Sequence, residues 1–387
     1  MLENSPKIYF YSPNCPDDTS SLPESVEASW EWFYTVGRPE YKINDGEYAW
    51  TYQTYWHLKE ADFPCELTNT MPSSGIVLVH RESLPFSFIP GPDLFLICLQ
   101  ADKAPHPFAQ LSVVLSQENR YIRWTHLGDY TNPKALWRRR SPLKNRYYIR
   151  HWPVPALKPR SPSRVDKCEN VAYFGVANSL SSQFRSTQWK EQLAALGFNW
   201  IWRRGEHITD WTDYSDIDIV LSVRGLNNHI QSADAHQWAF KPPTKLINAW
   251  IAGVPAIMGK EASLREVRQS EFDYIEVNSQ QEAIEALKQL RDNNELRTQV
   301  LANVEQRAKE NSVEQTRKDW IVFLEQAKKG YQKWCRKGKI ERQIFWLDRW
   351  LTLAIDRVYR FVGFRREGVV KRYSALRQAL ATEQRLG

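Results

Sequence analysis

Nowhere in the 387 residues is there a run of about 18 uncharged apolar residues, which excludes a simple membrane-spanning helix. Low-complexity tracts are missing too, and 42% hydrophobic with 25% charged residues is the composition of a folded chain. The five cysteines (Cys15, Cys65, Cys98, Cys168, Cys335) are odd in number and never form a C-x-x-C pair, so neither a disulfide framework nor a zinc site is indicated. Residues 1–6 lack the basic region and apolar stretch of a secretory signal and carry Glu3 instead. The expectation is a reduced, cytoplasmic protein, soluble or peripheral to a membrane.

Two properties are present in excess. Seventeen Trp exceed what core packing needs, and Trp favours stacking walls, interfaces and membrane-water boundaries. The net charge of +7 is unevenly placed. Residues 326–387 hold 16 Lys and Arg against 5 Asp and Glu, a net of +11, while the rest holds 36 against 40, a net of −4. A nucleic-acid-binding body would show the opposite distribution, so no nucleic-acid partner is expected.

Length favours two domains, since single cores stop growing near ~250–300 residues. In the first half, short β-rich apolar runs at 7–11, 75–80, 94–100 and 111–116 read as strands, with 25–34 and 45–59 as helical or irregular connectors. Residues 147–164 carry four prolines, which block both helix and central strand, and an interdomain linker is placed there. The second half alternates strands (170–173, 199–202, 217–223, 255–258) with helices (188–196, 245–251, 281–291), then a long helical stretch over 294–329. That alternation predicts a parallel, doubly wound sheet. The expected domains are 1–150, 165–330 and a basic tail, 331–387.

The strongest chemical signal lies in 240–259. Pro242 and Pro243 disfavour helix before Thr244, so Thr244 is expected to cap a helix whose first turn holds Lys245. Unsatisfied N–H groups at such an N-terminus, with Lys245 and with Lys241 four residues earlier, suit a diphosphate. Gly253 closes the helix and Val254-Pro255 leads into the next strand.

This segment resembles the donor-binding region of GT-B glycosyltransferases, in which a helix with phosphate- and ribose-binding side chains is followed by Ala-Gly-Val-Pro and a strand. Thr244-Lys-Leu, Asn248-Ala and Ala252-Gly-Val-Pro are also similar to the nucleotide-binding motif of GDP-fucose-dependent α1,3-fucosyltransferases. There Glu usually precedes the Lys, where this chain has Thr244. Retaining GT-B enzymes usually carry two Glu eight positions apart, where this chain has Phe240 and Asn248. The resemblance implies two Rossmann-like domains facing a cleft, a UDP- or GDP-linked sugar as donor substrate with no resident cofactor, and Asn248 at the ribose-contacting position.

Gly175 after the first strand of the second domain, and Arg224 after the strand 217–223, are expected at the same sheet edge, near the donor phosphates. In the first domain, His80 and Asp102 follow strands, and the resemblance makes such loops the place for the acceptor and the base. Asp216-Ile-Asp218 begins its strand and so lies at the edge away from the ligand, which makes a metal-free donor clamp the expectation. On a helical wheel, residues 339–366 put Leu347, Trp350, Leu351, Ala354, Ile355 and Val358 on one face, an amphipathic anchor for anionic lipid at the inner face of the membrane. The function implied is transfer of a sugar to a lipid-linked or polysaccharide acceptor. Its rivals are an epimerase-like enzyme of the same fold and an inactive membrane-held binding protein.

Overall fold

The computed structural model describes residues 5–18, 22–37, 46–85, 87–101, 105–117, 145–224, 241–351 and 354. Two parallel sheets organise them. The first has six strands, β1 (Ile8–Tyr11), β2 (Glu66–Thr68), β3 (Gly75–His80), β4 (Leu94–Leu99), β5 (Leu111–Val114) and β6 (Arg146–Tyr148), in the order β2-β1-β3-β4-β5-β6. β3 and β4 are buried along their whole length, the state of strands covered on both faces. The second sheet has β7 (Asn170–Phe174), β8 (Asn199–Arg203), β9 (Ile219–Ser222), β10 (Ala256–Gly259) and β11 (Ile275–Val277), in the order β11-β10-β9-β7-β8. Every pairing is parallel.

Counted from its own first strand, the first sheet runs 2-1-3-4-5-6 and the second 2-1-3-4-5. The connections therefore diverge between first and third strands, at β1/β3 and at β7/β9, and open a crevice at the carboxyl edge. Two Rossmann-like α/β domains are thus present, as expected, each with one such switch point.

In the first domain, α1 (Val26–Trp32) is capped by Ser25, whose side chain accepts the Ala28 N–H, and α2 (Gln53–Lys59) follows a π-helical turn at Tyr48–Tyr52. Aromatic rings fill the space between them: Trp30 lies edge-on to Tyr34 and Tyr48 at 4.7 and 5.2 Å. In the second domain, α3 (Thr187–Ala195), α4 (Thr244–Ile251), α5 (Ala262–Val267), α6 (Gln280–Asp292) and α7 (Asn294–Glu310) surround the sheet. The long helical stretch is two helices, because the chain leaves α7 at Asn311 and Ser312 caps α8 (Val313–Cys335).

α8 does not stay with the second domain. Trp320, Phe323, Leu324, Ala327 and Trp334 are built into the first core, so the packing carries residues 313–335 across the boundary expected near 330. The proline-rich linker is also fixed at both sides. Gln53 donates to the Pro153 carbonyl at 2.7 Å, the Val154 N–H donates to Asn248 Oδ1 at 3.1 Å, and the Arg160 N–H donates to the Ala252 carbonyl at 2.9 Å.

Candidate functional site

The β7/β9 switch point opens on a cleft that the first domain covers from the other side, and its cavity measures about 280 Å³. From the second domain it is lined by Gly175, Arg224, Lys241, Thr244, Lys245 and Asn248, all six of the residues expected to hold the donor.

Their arrangement follows from the strand ends. Gly175 comes directly after β7 with φ +147°, a conformation that favours glycine. A Cβ there would stand 2.7 Å from the Tyr173 hydroxyl and 3.1 Å from Lys245 Cε, so glycine leaves room for the lysine stem. The Lys245 ammonium lies over the Tyr173 ring, 5.6 Å from its centroid. Burial first, then repulsion by Arg224 and Lys241, push the Lys245 pKa down to about 7, with Glu261 acting in the opposite sense.

Thr244 is the first helical residue of α4 and not its cap. Pro243 takes the cap position, and its carbonyl accepts from the Leu246 and Ile247 N–H groups at 3.0 Å each. Proline has no N–H of its own, and the N–H groups of Thr244 and Lys245 are left without an acceptor inside the helix. Arg224 follows β9 and is anchored by its Nε to the buried Glu261 carboxylate at 3.0 Å. Glu261 lies just beyond the carboxyl end of β10, and sequence reasoning missed it, although a carboxylate following a strand was the available signal. Asn248 is engaged already: its Oδ1 accepts the linker N–H of Val154, and its side chain bonds Tyr214.

The first domain contributes a different surface. Trp30, Tyr34, Tyr48, Trp50, Gln53 and Trp152 line the cleft, and none is charged. His151 lines it as well, a residue the sequence reading passed over inside the linker. Its Nδ1 is 2.7 Å from the Trp152 carbonyl, and a carbonyl only accepts, so Nδ1 carries the proton and Nε2 the lone pair. Burial lowers the His151 pKa, against the Trp152 hydrogen bond, and the ring is therefore neutral near pH 7.

His80 is placed differently. It ends β3, is buried, and stands behind Gly46, a cleft residue at which a Cβ would come 3.0 Å from His80 Nε2. His80 is not itself among the lining residues. Beside it, the buried Glu47 carboxylate accepts from Ser12 Oγ at 2.7 Å, Asn14 Nδ2 at 3.1 Å and Ser83 Oγ at 3.1 Å, and so gathers the loops of the first switch point. Asp102 lies outside the described residues.

Asp216 and Asp218 are at the amino end of β9, away from the cleft. Asp218 is fully buried and accepts from Arg164 at 2.7 and 2.9 Å and from the N–H groups of Glu169 and Asn170 at 2.9 Å each. Burial alone would raise its pKa, but these donors and Arg160 hold it below the usual carboxylate value. Among the described residues, no three His, Cys, Asp or Glu side chains cluster as metal ligands would.

No protein-family model matches the chain, and no curated protein is similar to it in sequence. Among solved structures, the chain is similar to HepE of Anabaena in complex with UDP, with 11% identity over 83% of this chain and 100% of that one, and a TM-score of 0.43. It is also similar to AviGT4, a glycosyltransferase involved in avilamycin A biosynthesis, with 12% identity over 84% and 98% and a TM-score of 0.40. TarM gives 10% identity over 70% and 57%, with a TM-score of 0.43.

Proposed function

We propose that the protein is a glycosyltransferase that takes a sugar from a UDP- or GDP-linked donor. The observation that carries the reading is the convergence of Arg224, Lys241, Lys245 and the amino end of α4 at the β7/β9 switch point, on one wall of a cleft between two Rossmann-like domains. Such a wall recognises a diphosphate by charge-assisted hydrogen bonds and helix N–H groups. The same cations then stabilise the leaving nucleoside diphosphate, so no metal is required in this reading.

The uncharged aromatic wall opposite suits the faces of sugar rings and takes the acceptor, a lipid-linked or polysaccharide glycan. His151 is the proposed base, with neutral Nε2 available to a hydroxyl proton, and His80 supports the same wall from behind Gly46. The basic tail holds the protein at an anionic membrane surface from the cytoplasmic side.

Binding and turnover measured with a panel of UDP-, GDP- and CMP-sugars, with and without EDTA, test this. Expected are binding of a nucleoside diphosphate sugar, transfer or slow hydrolysis, and indifference to EDTA. Epimerised product without transfer would replace the reading with an epimerase, and binding without any turnover would make the protein a carrier.

A further inference from the structure

Residues 339–351 form a helix, here α9, that follows α8 after a short turn. Its two sides differ in their partners. Phe345 and Trp346 pack on the body, 5.1 and 5.5 Å from Trp334, and Trp346 reaches Phe108 at 5.7 Å. Arg342 adds an ion pair to Asp93 at 2.8 Å and a hydrogen bond to the Pro92 carbonyl at 3.0 Å. On the opposite side, Ile340, Ile344, Leu347 and Leu351 follow the i, i+4, i+7, i+11 spacing of one stripe, with Trp350 beside it. All five are 54–72% exposed. The helix is therefore clamped by one face and presents the other to its surroundings.

Charge identifies the occupant. Lys333, Arg336, Lys337 and Lys339 are exposed at the start of this region, and residues 326–387 carry a net of +11 against −4 for the remainder. A second copy would bring the same positive charge to the contact, and a nucleic acid would gain nothing from Ile and Leu. An anionic bilayer rewards both the cations and the apolar stripe.

The position of α9 adds direction. α8 starts beside the carboxyl end of β6, where Asp319 pairs with Arg150 at 2.8 Å, and ends where Trp334 donates to the Pro92 carbonyl, two residues before β4 begins. It thus crosses the first sheet from the carboxyl edge, which holds the cleft, to the amino edge, which holds α9. The fifteen steps from Asp319 to Trp334 span about 22 Å at about 1.5 Å each.

We infer that the exposed stripe of α9 is a docking face for an anionic lipid bilayer, and that docking there holds the cleft about 20 Å from the lipid surface. The consequence for substrate rests on the transferase reading: the accepting group stands out from the bilayer on an extended chain, or is soluble, and is not at headgroup depth.

Flotation of the full chain with vesicles of one part phosphatidylglycerol to three parts phosphatidylcholine tests the face. The parent should float with these vesicles, less so in high salt, and not with phosphatidylcholine alone. Ile344→Asp with Leu347→Asp changes only exposed positions and should lower the bound fraction at least ten-fold, with elution volume and UDP binding unchanged. Equal flotation of the two proteins overturns the proposal. So does a parent that fails to float and instead forms dimers that the double variant does not. Binding of UDP and of GDP is read separately, so the absence of both would sink the transferase reading and leave the lipid result standing. For the stand-off, nitroxide labels at Ile344→Cys and Ser179→Cys, in a Cys335→Ser background, should report acyl chain and water respectively; lipid contact at Ser179 overturns it.

Discussion

The two sheets share a strand order, but the two domains differ in what they bring to the cleft. At β7/β9 the cleft meets Arg224, Lys241, Lys245 and a helix amino end; on the first domain it meets Trp30, Tyr34, Trp50 and Gln53 from the connection between β1 and β2, and His151 after β6. Topology alone explains why both domains face the cleft, and it is indifferent to the chemistry. The side chains decide it: one wall carries three cations and a helix amino end, and the other offers apolar area and one neutral imidazole. In the reading proposed here, affinity for the donor resides in the first set and the chemical step in the second.

The largest expected effect is on the aromatic wall. His151→Asn should lower turnover by ~10²–10⁴-fold, the usual worth of a general base, while donor affinity stays within about two-fold. Steady-state kinetics beside calorimetry with a non-reacting nucleotide would show the split. Unchanged turnover removes His151 from the mechanism and returns the role to His80 or Asp102.

The opposite edge of the second sheet supplies the next contrast. Asp218→Asn breaks a buried ion pair with Arg164 and should cost about 3–5 kcal/mol in a denaturant titration. Donor affinity of the folded variant should be unchanged, with or without added Mg²⁺ or Mn²⁺. Loss of a metal-dependent fraction of binding would reverse the assignment of Asp216 and Asp218 to the structure.

Much of this division was legible in the sequence, and the gaps have physical causes. The apolar runs of β3, β4, β7 and β9 are long enough to show a pattern. β2, β6 and β11 have three residues each and show none. The cationic wall was readable because its residues sit next to strand ends and prolines, which act locally. Thr244 was misplaced by one position because Pro243, with no N–H to satisfy, takes the cap itself. Glu261 and His151 were missed because their roles depend on partners that only folding supplies, 37 residues away for Glu261 and across the cleft between the domains for a histidine read as linker. Trp346 and Phe345 were read with the tail, but they pack on the body, and only the far side of that helix is left exposed.

Lys245→Ala should weaken binding of a nucleoside diphosphate sugar by about 10- to 150-fold, from ~1.5–3 kcal/mol for a charge-assisted contact. The aromatic-wall variants should not approach this value. If Trp50→Phe weakens the donor as much as Lys245→Ala does, the two walls are not separate in function.

The smallest effect expected is a pH dependence with two opposite signs. Lys245 titrates near 7 in the folded protein, held there first by burial and then by Arg224 and Lys241, with Glu261 opposing. About nine in ten ammonium groups are then charged at pH 6 and about one in ten at pH 8. Affinity for a sugar nucleotide should therefore fall by up to about ten-fold between these values, with proton uptake on binding visible as a buffer-dependent enthalpy. The diphosphate of such a ligand is esterified at both ends and does not titrate in this window, so the change belongs to the protein; free UDP would confuse the test. Stability moves the other way. The unfolded lysine keeps its proton up to its ordinary value of 10.5, so between about 7 and that value the unfolded state binds more protons and this position makes the fold more stable as pH rises. Lys245→Met should thus show a flat affinity profile, and a thermal advantage over the parent that is greatest below pH 7 and shrinks towards pH 9. A parent profile as flat as the variant's would place the lysine in water, away from the anion it is proposed to hold.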